Sequence, residues 1–487
     1  MEKTLLLVFL IFITGRGYSQ TFERIIPTGF DTYGQDVVFF QNHFYVLSTS
    51  VTGPELHNYS STIYKMDMGG ELVDSLKFDF LNKHVLLNRL LLLDNHIFSY
   101  GYTNELDTEE IQAIHLKLDT NLGLKFIHVT GTDSLSEYFR DMMVTEDGRL
   151  IAIYMGGYPY YLIEINSLNG SIEFKRAVYN PDYMLMEIPA YYLLHCWTRG
   201  FGSELLSFDS DSYALIDSVN SPSYIDKRRQ SILIDDSSYF ISAHYMKADQ
   251  VNQVVTWDFA LLKVHKDLYY MDSITFSTPV SQNHHTAFYK ALDYQHNTSR
   301  LFYGGTDNKS YYPPSTFIPA KHRFQLLNIE RNGSLNRRMV FGGEGDYADV
   351  MFSLAATPDG GCIMVGSRWN YGEQPDLNKR DIYILKVDSL GNYVPSVGIE
   401  KKEVNVPRNI NLYPNPNNGS FTLSIASESN LFPTNIFVYD ALGNKVYQAL
   451  DVKSQNMDID ISRHSKGIYL VRVQKGNEQF LKKVVKQ

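Results

Sequence analysis

The chain has 487 residues, 44% of them hydrophobic and 20% charged, which is enough for two or three domains with proper cores and too apolar for a disordered chain. A formal net charge of -10 argues against a general nucleic-acid binder, because phosphate contacts need clustered Lys and Arg. Tyr (35) and Phe (28) raise the aromatic share to 14%, and such side chains suit pleated, half-buried surfaces, so the composition leans towards β structure.

Met1-Glu2-Lys3 precedes an apolar run from Leu5 to Ile13, and Gly17 and Ser19 stand where a signal peptidase reads small residues. This predicts a cleaved signal peptide over residues 1–19, since the apolar run is far shorter than the ~20 residues of a membrane span. No Cys lies near the cut to carry a lipid. Cys196 and Cys362 are too few for a disulfide framework or a structural zinc site and read as unpaired thiols.

From residue 20 to 398 one pattern recurs: an apolar-alternating strand, a turn opened by a short polar residue, and a second strand. The turns open at Asp67, Asp119, Asn166, Asp209, His265, Glu330 and Asp388. A second hairpin precedes each, with turns at Gln41-Asn42, Asp94-Asn95, Asp147-Gly148, the less regular 187–194, Asp235-Asp236, His296-Asn297 and Asp359-Gly360. Asn and Gly tolerate positive φ, which gives these turns a mechanism. Four strands repeated seven times at about fifty residues predict an all-β, approximately seven-bladed β-propeller. Phe22–Ile26 has no local partner, and the expectation is that it completes the last blade. Cys196 and Cys362 then fall on the second strands of blades four and seven, too far apart to pair.

The charged, Pro-bounded stretch 399–408 reads as a linker. Over 409–487 the chain carries Tyr413-Pro414-Asn415-Pro416 with Asn418-Gly419, then Tyr439-Asp440 followed by Gly443, then Gly467-Ile468-Tyr469-Leu470-Val471, and a basic-hydrophobic end. The alternating segments predict a small Ig-like β-sandwich.

These four pieces in register resemble the type A C-terminal sorting domain of the type IX (Por) secretion system. The resemblance puts its motif on Tyr413, Pro414, Asn415, Pro416, Gly419, Tyr439, Asp440, Gly443, Gly467 and Tyr469. It implies Sec export to the periplasm, recognition by an outer-membrane translocon, and removal of the domain by a sortase-like protease. Attachment to surface lipopolysaccharide or release of the mature protein then follows. Asp-Ser-apolar triplets at Asp74, Asp133, Asp217, Asp272 and Asp388 are similar to the O-glycosylation acceptor of bacteria that use this route.

Catalytic motifs are not evident: no Gly-x-Ser-x-Gly elbow, His-Glu-x-x-His, phosphate loop or EF-hand occurs, and no cofactor or metal site is expected. His284-His285, with His296 beyond, is the best metal candidate by composition, but neighbours on a strand point to opposite faces. Asp209-Ser210-Asp211 and Asp235-Asp236 read as turn caps rather than calcium ligands. Gly342–Asp346 reads as a connection between blades. Tyr191-Tyr192 suits the core, Tyr158-Pro159-Tyr160-Tyr161 offers exposed rings, and Tyr311-Tyr312 beside Pro313 is the candidate contact. The leading expectation is a non-enzymatic propeller that binds a glycan, peptide or protein through its loops. The alternatives are a secreted hydrolase or lyase at the channel and a structural surface-layer component. Converging carboxylates or histidines at the channel mouth would favour the enzyme, and exposed aromatics the binder.

Overall fold

The computed structural model describes residues 21–393 and 410–487, except 52–58, 79–82, 106–110, 132–135, 146, 158, 179–182, 189–190, 198–202, 221–224, 236, 250–253, 266, 268–269, 277–283, 295–299, 308–321, 371–378, 426–433, 441–443 and 476–477. The expected signal peptide, the 399–408 linker, His296, Tyr158, Tyr311-Tyr312 and Gly443 all lie outside the described residues. Among the described residues the regular structure is strand alone, and no helix is long and apolar enough to cross a membrane. The chain divides into two compact units, Met1–Ser396 and Val397–Gln487.

The first unit is built from seven antiparallel sheets among the described residues, at 31–78, 83–130, 137–178, 183–220, 225–275, 285–341 and 347–387. Strands pair in chain order within a sheet, and the innermost strands of successive sheets touch. Asp31–Phe40 of the first sheet packs on Tyr347–Ala356 of the last, so the ring closes as a seven-bladed β-propeller.

Local turn chemistry produces the repeat. Where the third strand hands over to the fourth, the Asp67 carboxylate accepts the N–H groups of Gly69 (2.9 Å) and Glu71 (2.8 Å). Asp119 does the same for Asn121 and Gly123, and Asp388 for Leu390 and Asn392. Between first and second strands, Gln41-Asn42 and Asp94-Asn95 hold φ of 47° to 61° in two-residue turns whose twist matches the flanking strands. Asp209 and Asp235 are caps of this kind, on Asp211 and Ser212 and on Ser237 and Ser238.

The last blade borrows its outer strand. Phe22–Ile26 pairs antiparallel with Arg380–Val387, from Phe22 opposite Lys386 to Ile26 opposite Ile382. The same segment grips blade 1, because Arg24 Nε donates to Gly70 O (2.9 Å) and its guanidinium pairs with Glu71. Gly70 holds φ at +78° beneath the Phe22 ring, where a Cβ would stand 2.5 Å from Phe22 Cδ2, so only glycine fits.

Blade 6 departs from the regular four-strand unit expected of every repeat. Its innermost strand is broken into His285–Thr286 and Leu292–Tyr294. Between them Phe288-Tyr289-Lys290 swings out to the innermost strand of blade 7. Tyr289 N donates to Phe352 O (2.8 Å), and Leu354 N to Lys290 O (3.0 Å), in a parallel bridge. The backbone donors that leave one sheet are satisfied by the next.

Second and third strands are buried on both faces, as in Leu150–Gly156, so they read as apolar runs rather than strict alternation. Cys362 is a free, buried thiol on the second strand of blade 7, and burial pushes its pKa up. Cys196 stands on the second strand of blade 4.

The second unit is a sandwich. Ile410–Tyr413, Ser420–Ile425 and Asn456–Asp460 form one sheet, and Lys445–Val452, Thr434–Tyr439, Gly467–Lys475 and Glu478–Lys486 the other. Phe421, Leu423 and Ile459 from the first meet Ile436, Val438, Tyr469, Val471 and Val484 from the second.

Candidate functional site

In a four-stranded antiparallel blade, connections 1–2 and 3–4 fall at one end, and 2–3 and 4–next-1 at the other. The first end carries the tight, carboxylate-capped turns described above. The opposite end takes the longer connections, among them 371–379 and the 308–322 link of blade 6. The ring thus carries its connections of unequal length at one end.

Near that end, rings from several blades gather around the innermost strands. Tyr33 of blade 1 lies edge-on to Phe352 of blade 7, with centroids 5.8 Å apart. Phe352 stacks with Tyr289 of blade 6 at 6.3 Å, and Tyr289 meets Phe288 at 4.9 Å. Tyr59 of blade 1 is edge-on to Tyr102 of blade 2 at 6.5 Å. Phe288 is 47% exposed, while Tyr33, Tyr59, Tyr102 and Phe352 are half-buried. Burial pushes the Tyr33 hydroxyl up to about 12, with Asp31 adding to the shift and Arg380 opposing it; Tyr102 is also raised, chiefly by burial. These phenols are neutral hydrogen-bonding groups at physiological pH.

A buried polar chain fixes this wall from behind. Gln35 Nε2 donates to the Tyr289 hydroxyl (3.0 Å), and Gln35 Oε1 accepts the Thr49 hydroxyl. Thr49 Oγ1 lies 3.1 Å from Ser61 Oγ, which accepts Leu87 N of blade 2 (2.9 Å). The chain runs from blade 6 through blade 1 to blade 2.

Carboxylates do converge on the innermost strands: Asp36, Asp141 and Asp293 join blades, while Asp349 is held by Arg368 of its own blade. Bulges at Gly34/Asp36, Leu87/Arg89, Phe139/Asp141 and Met351/Ser353 re-aim one side chain per strand. Asp36 accepts Leu90 N of blade 2 (2.9 Å) and the Ser353 hydroxyl of blade 7 (2.5 Å). Asp141 accepts Leu185 N of blade 4 (3.0 Å) and the Tyr100 hydroxyl of blade 2 (2.7 Å). Arg89 lies between them, 3.9 Å from Asp36 and 3.7 Å from Asp141. Gln230 of blade 5 accepts Leu292 N, and Asp293 of blade 6 accepts Ala356 N. These groups are seam clamps.

His284 and His285 turn apart, as strand neighbours do. His284 Nδ1 is 3.0 Å from Asp307 Oδ1, and its Nε2 is 3.9 Å from Asp258. Lys247 pairs with Asp258 (2.8 Å) and Arg323 with Asp307. Burial alone would raise Asp307, but His284 and Arg323 outweigh it and hold the carboxyl below its usual value. His285 faces His244 instead, with ring centroids at 4.9 Å, and His244 Nε2 accepts Thr286 N (2.6 Å). Among the described residues no group of three or more His, Cys, Asp or Glu is arranged to hold a metal ion.

Where innermost strands of blades 1, 2, 6 and 7 meet near the tight-turn end there is a cavity of about 330 Å³, lined by Phe39, Leu92, Lys290, Asp293, Tyr294 and Pro358 among others. Its one ion pair, Lys290 to Asp293 (2.7 Å), is internally compensated. Tyr160 and Tyr161 lie on blade 3 and are half-buried, with Tyr161 packed on Phe174 at 5.2 Å. Tyr191 and Tyr192 are on the second strand of blade 4, and 342–346 joins blades 6 and 7. Asp74, Asp217 and Asp272 sit on outermost strands, where each carboxylate accepts the N–H of the following serine (2.7–2.8 Å). A carboxylate on an edge N–H discourages pairing with another chain.

In the C-terminal sandwich Asn415 secures the final strand. Tyr413-Pro414 and Asn415-Pro416 are both cis. The Asn415 amide donates to Lys483 O (3.0 Å) and accepts Val485 N (2.9 Å), as a neighbouring strand would. Gly419 holds φ at +107°, and a Cβ there would stand 2.6 Å from Ser462 Cα. Lys486 Nζ is buried and donates to the carbonyls of Ile461 (3.1 Å), Ser462 (2.7 Å) and His464. Asp440 accepts Asn444 N (2.8 Å), Tyr469 donates to Ser465 O, and Gly467 begins its strand. Tyr439 stacks beneath the Arg472 guanidinium, 5.0 Å from the ring centroid.

Residues 411–487 match the secretion system C-terminal sorting domain family, Por_Secre_tail. No curated protein matches the chain. Among solved structures, hydrazine synthase of Kuenenia stuttgartiensis is similar at 10% identity and TM-score 0.46, over 75% of this chain and 98% of that one. A puromycin-hydrolyzing peptidase of Mycobacterium tuberculosis has 10% identity and TM-score 0.46, over 82% of this chain and 60% of the peptidase, so the match spans about three fifths of its length. The β-propeller domain of the Trilobed protease from Pyrococcus furiosus has 10% identity and TM-score 0.38, over 82% and 96%. Such likeness carries nothing about chemistry.

Proposed function

Because its C-terminal unit is a sorting domain of the type IX (Por) secretion system, we propose that the propeller is the exported cargo and binds a glycan, peptide or protein ligand at its long-connection end. The sorting domain implies contact with the type IX machinery and a secreted or cell-surface protein. In this reading residues 1–19 direct Sec export, a sortase-like protease cuts within 399–408, and the mature chain is attached to lipopolysaccharide or released. In the same reading Asn415 keeps the terminal strand presented for the translocon.

The observation that carries the binding role is the aromatic wall of Tyr33, Tyr289, Phe288 and Phe352, drawn from three blades and braced by Gln35. A hydrolase or lyase would draw on His284 and Asp307, but Lys247 and Arg323 close that network. The test compares the native strain with one lacking 409–487. Full-length protein should reach the surface or medium without its C-terminal unit while the truncated chain stays periplasmic. Unchanged export of the truncation would sink the export reading.

A further inference from the structure

We infer that the aromatic wall, together with Tyr102 of blade 2 beside it, holds a neutral saccharide, with Phe288, Phe352 and Tyr102 as contact residues. The inference rests on the binding reading above and narrows it to one ligand class. Three properties of the wall select that class.

First, the exposed Phe288 ring lies with the half-buried Phe352 and Tyr102 rings near the long-connection end, and the Tyr102 phenol is neutral. A pyranose has the matching pattern, C–H groups on one face and hydroxyls around its rim. Ring contact of this sort is non-directional enough to accept several sugars, while the Tyr102 phenol fixes orientation. Second, the charges beside the wall are paired. Arg380 binds Asp31 through Nε (2.9 Å) and lies over the Tyr33 ring at 4.5 Å. Lys290, next to Tyr289, pairs with Asp293. A charged ligand would have to break one of these pairs, whereas a neutral one leaves both intact. Third, the wall is held before any ligand arrives. Tyr289 is tied to Gln35 by its hydroxyl and to Phe352 O by its N–H, so little rotamer freedom is lost on binding.

The experiment titrates the full mature chain by calorimetry with three probe sets. These are neutral oligosaccharides (glucan, xylan, mannan and chitin fragments), acidic oligosaccharides (alginate and heparin fragments), and a panel of unstructured peptides. The expected result is binding of at least one neutral oligosaccharide whose affinity barely changes between ~50 and ~500 mM salt, because no ion pair forms. Phe288→Ala, at an exposed ring, should weaken it about tenfold, and Phe288→Trp should restore it. Phe352→Ala and Tyr102→Ala should act in the same direction with the thermal transition checked in parallel. Binding of only acidic saccharides or only peptides would overturn the saccharide class and leave the binding reading standing. Neutral saccharide binding indifferent to Phe288→Ala and Tyr102→Ala would overturn the site. No binding in any set would overturn both.

Discussion

The Gln35 side-chain amide donates to the Tyr289 hydroxyl at 3.0 Å, joining blade 1 to blade 6 across the innermost strand of blade 7. Residues 254 positions apart in sequence thus meet inside the ring, because Phe288-Tyr289-Lys290 has left its own sheet. The bond locks the departure in place and sets the angle of the aromatic wall.

Gln35→Leu removes that donor from a buried site, with an expected loss of about 1–3 kcal/mol. A double-mutant cycle with Tyr289→Phe, followed by urea unfolding, should give a coupling energy of about 0.5 kcal/mol or more. Strict additivity would show that the two side chains do not act together.

A chain beginning at Gly34 lacks Phe22–Ile26 and leaves Arg380–Val387 as an open edge. Unpaired, that buried strand is a template for aggregation. The transition temperature should fall by on the order of 10 °C, and size-exclusion chromatography should show aggregates. Equal stability would mean that the borrowed strand does not hold the ring.

Asp36→Ala strips the acceptor from Leu90 N and the Ser353 hydroxyl and leaves Arg89 with one carboxylate fewer. Breaking a buried charged cluster costs about 3–5 kcal/mol. Asp36→Asn keeps an acceptor oxygen and should cost less. The ordering of the two variants in chemical denaturation is the check.

Acid should weaken the propeller through its turn carboxylates. Asp119 is held down to about 2, first by Lys125, whose ammonium lies 2.7 Å away, and then by Gly123 N. Asp235 is held down to about 2, chiefly by the Ser238 hydroxyl. An unfolded Asp titrates near 3.9, so each contributes stability that is full above about pH 4 and is lost as pH falls towards 2. The urea midpoint should drop across that window, and Asp119→Asn should flatten the drop. A midpoint that rises on acidification would contradict the sign.

Lys486→Met removes three donors to the carbonyls of Ile461, Ser462 and His464. Hydrogen bonds from a charged group contribute about 1.5–3 kcal/mol in total effect. Hydrogen exchange along Glu478–Lys486 should speed up, and surface yield should fall with it. Faster exchange with undiminished export would separate fold from sorting.

Much of the propeller was legible because its turns are local chemistry. Asp67, Asp119 and Asp388 announce a hairpin through carboxylates that reach N–H groups two and four residues on, and Asn42 and Asn95 through positive φ. Phe22–Ile26 was legible as a strand wanting a partner. Blade 6 was not, since nothing near Ala287 marks a strand that breaks to pair elsewhere. The divergence of His284 and His285 followed from strand geometry, while their partners Asp307 and His244 lie on other strands.

The amino-acid sequence by itself determined the repeat, the approximate blade number, the sandwich and the sorting motif, because each rests on side chains acting within a few residues of themselves. Ring closure decided the rest. It brought Tyr33, Tyr289 and Phe352 together from blades 1, 6 and 7, and it made Asp36 and Asp141 clamps between blades. Those neighbours are set by where each strand sits on a closed circle, and no local spacing carries that information.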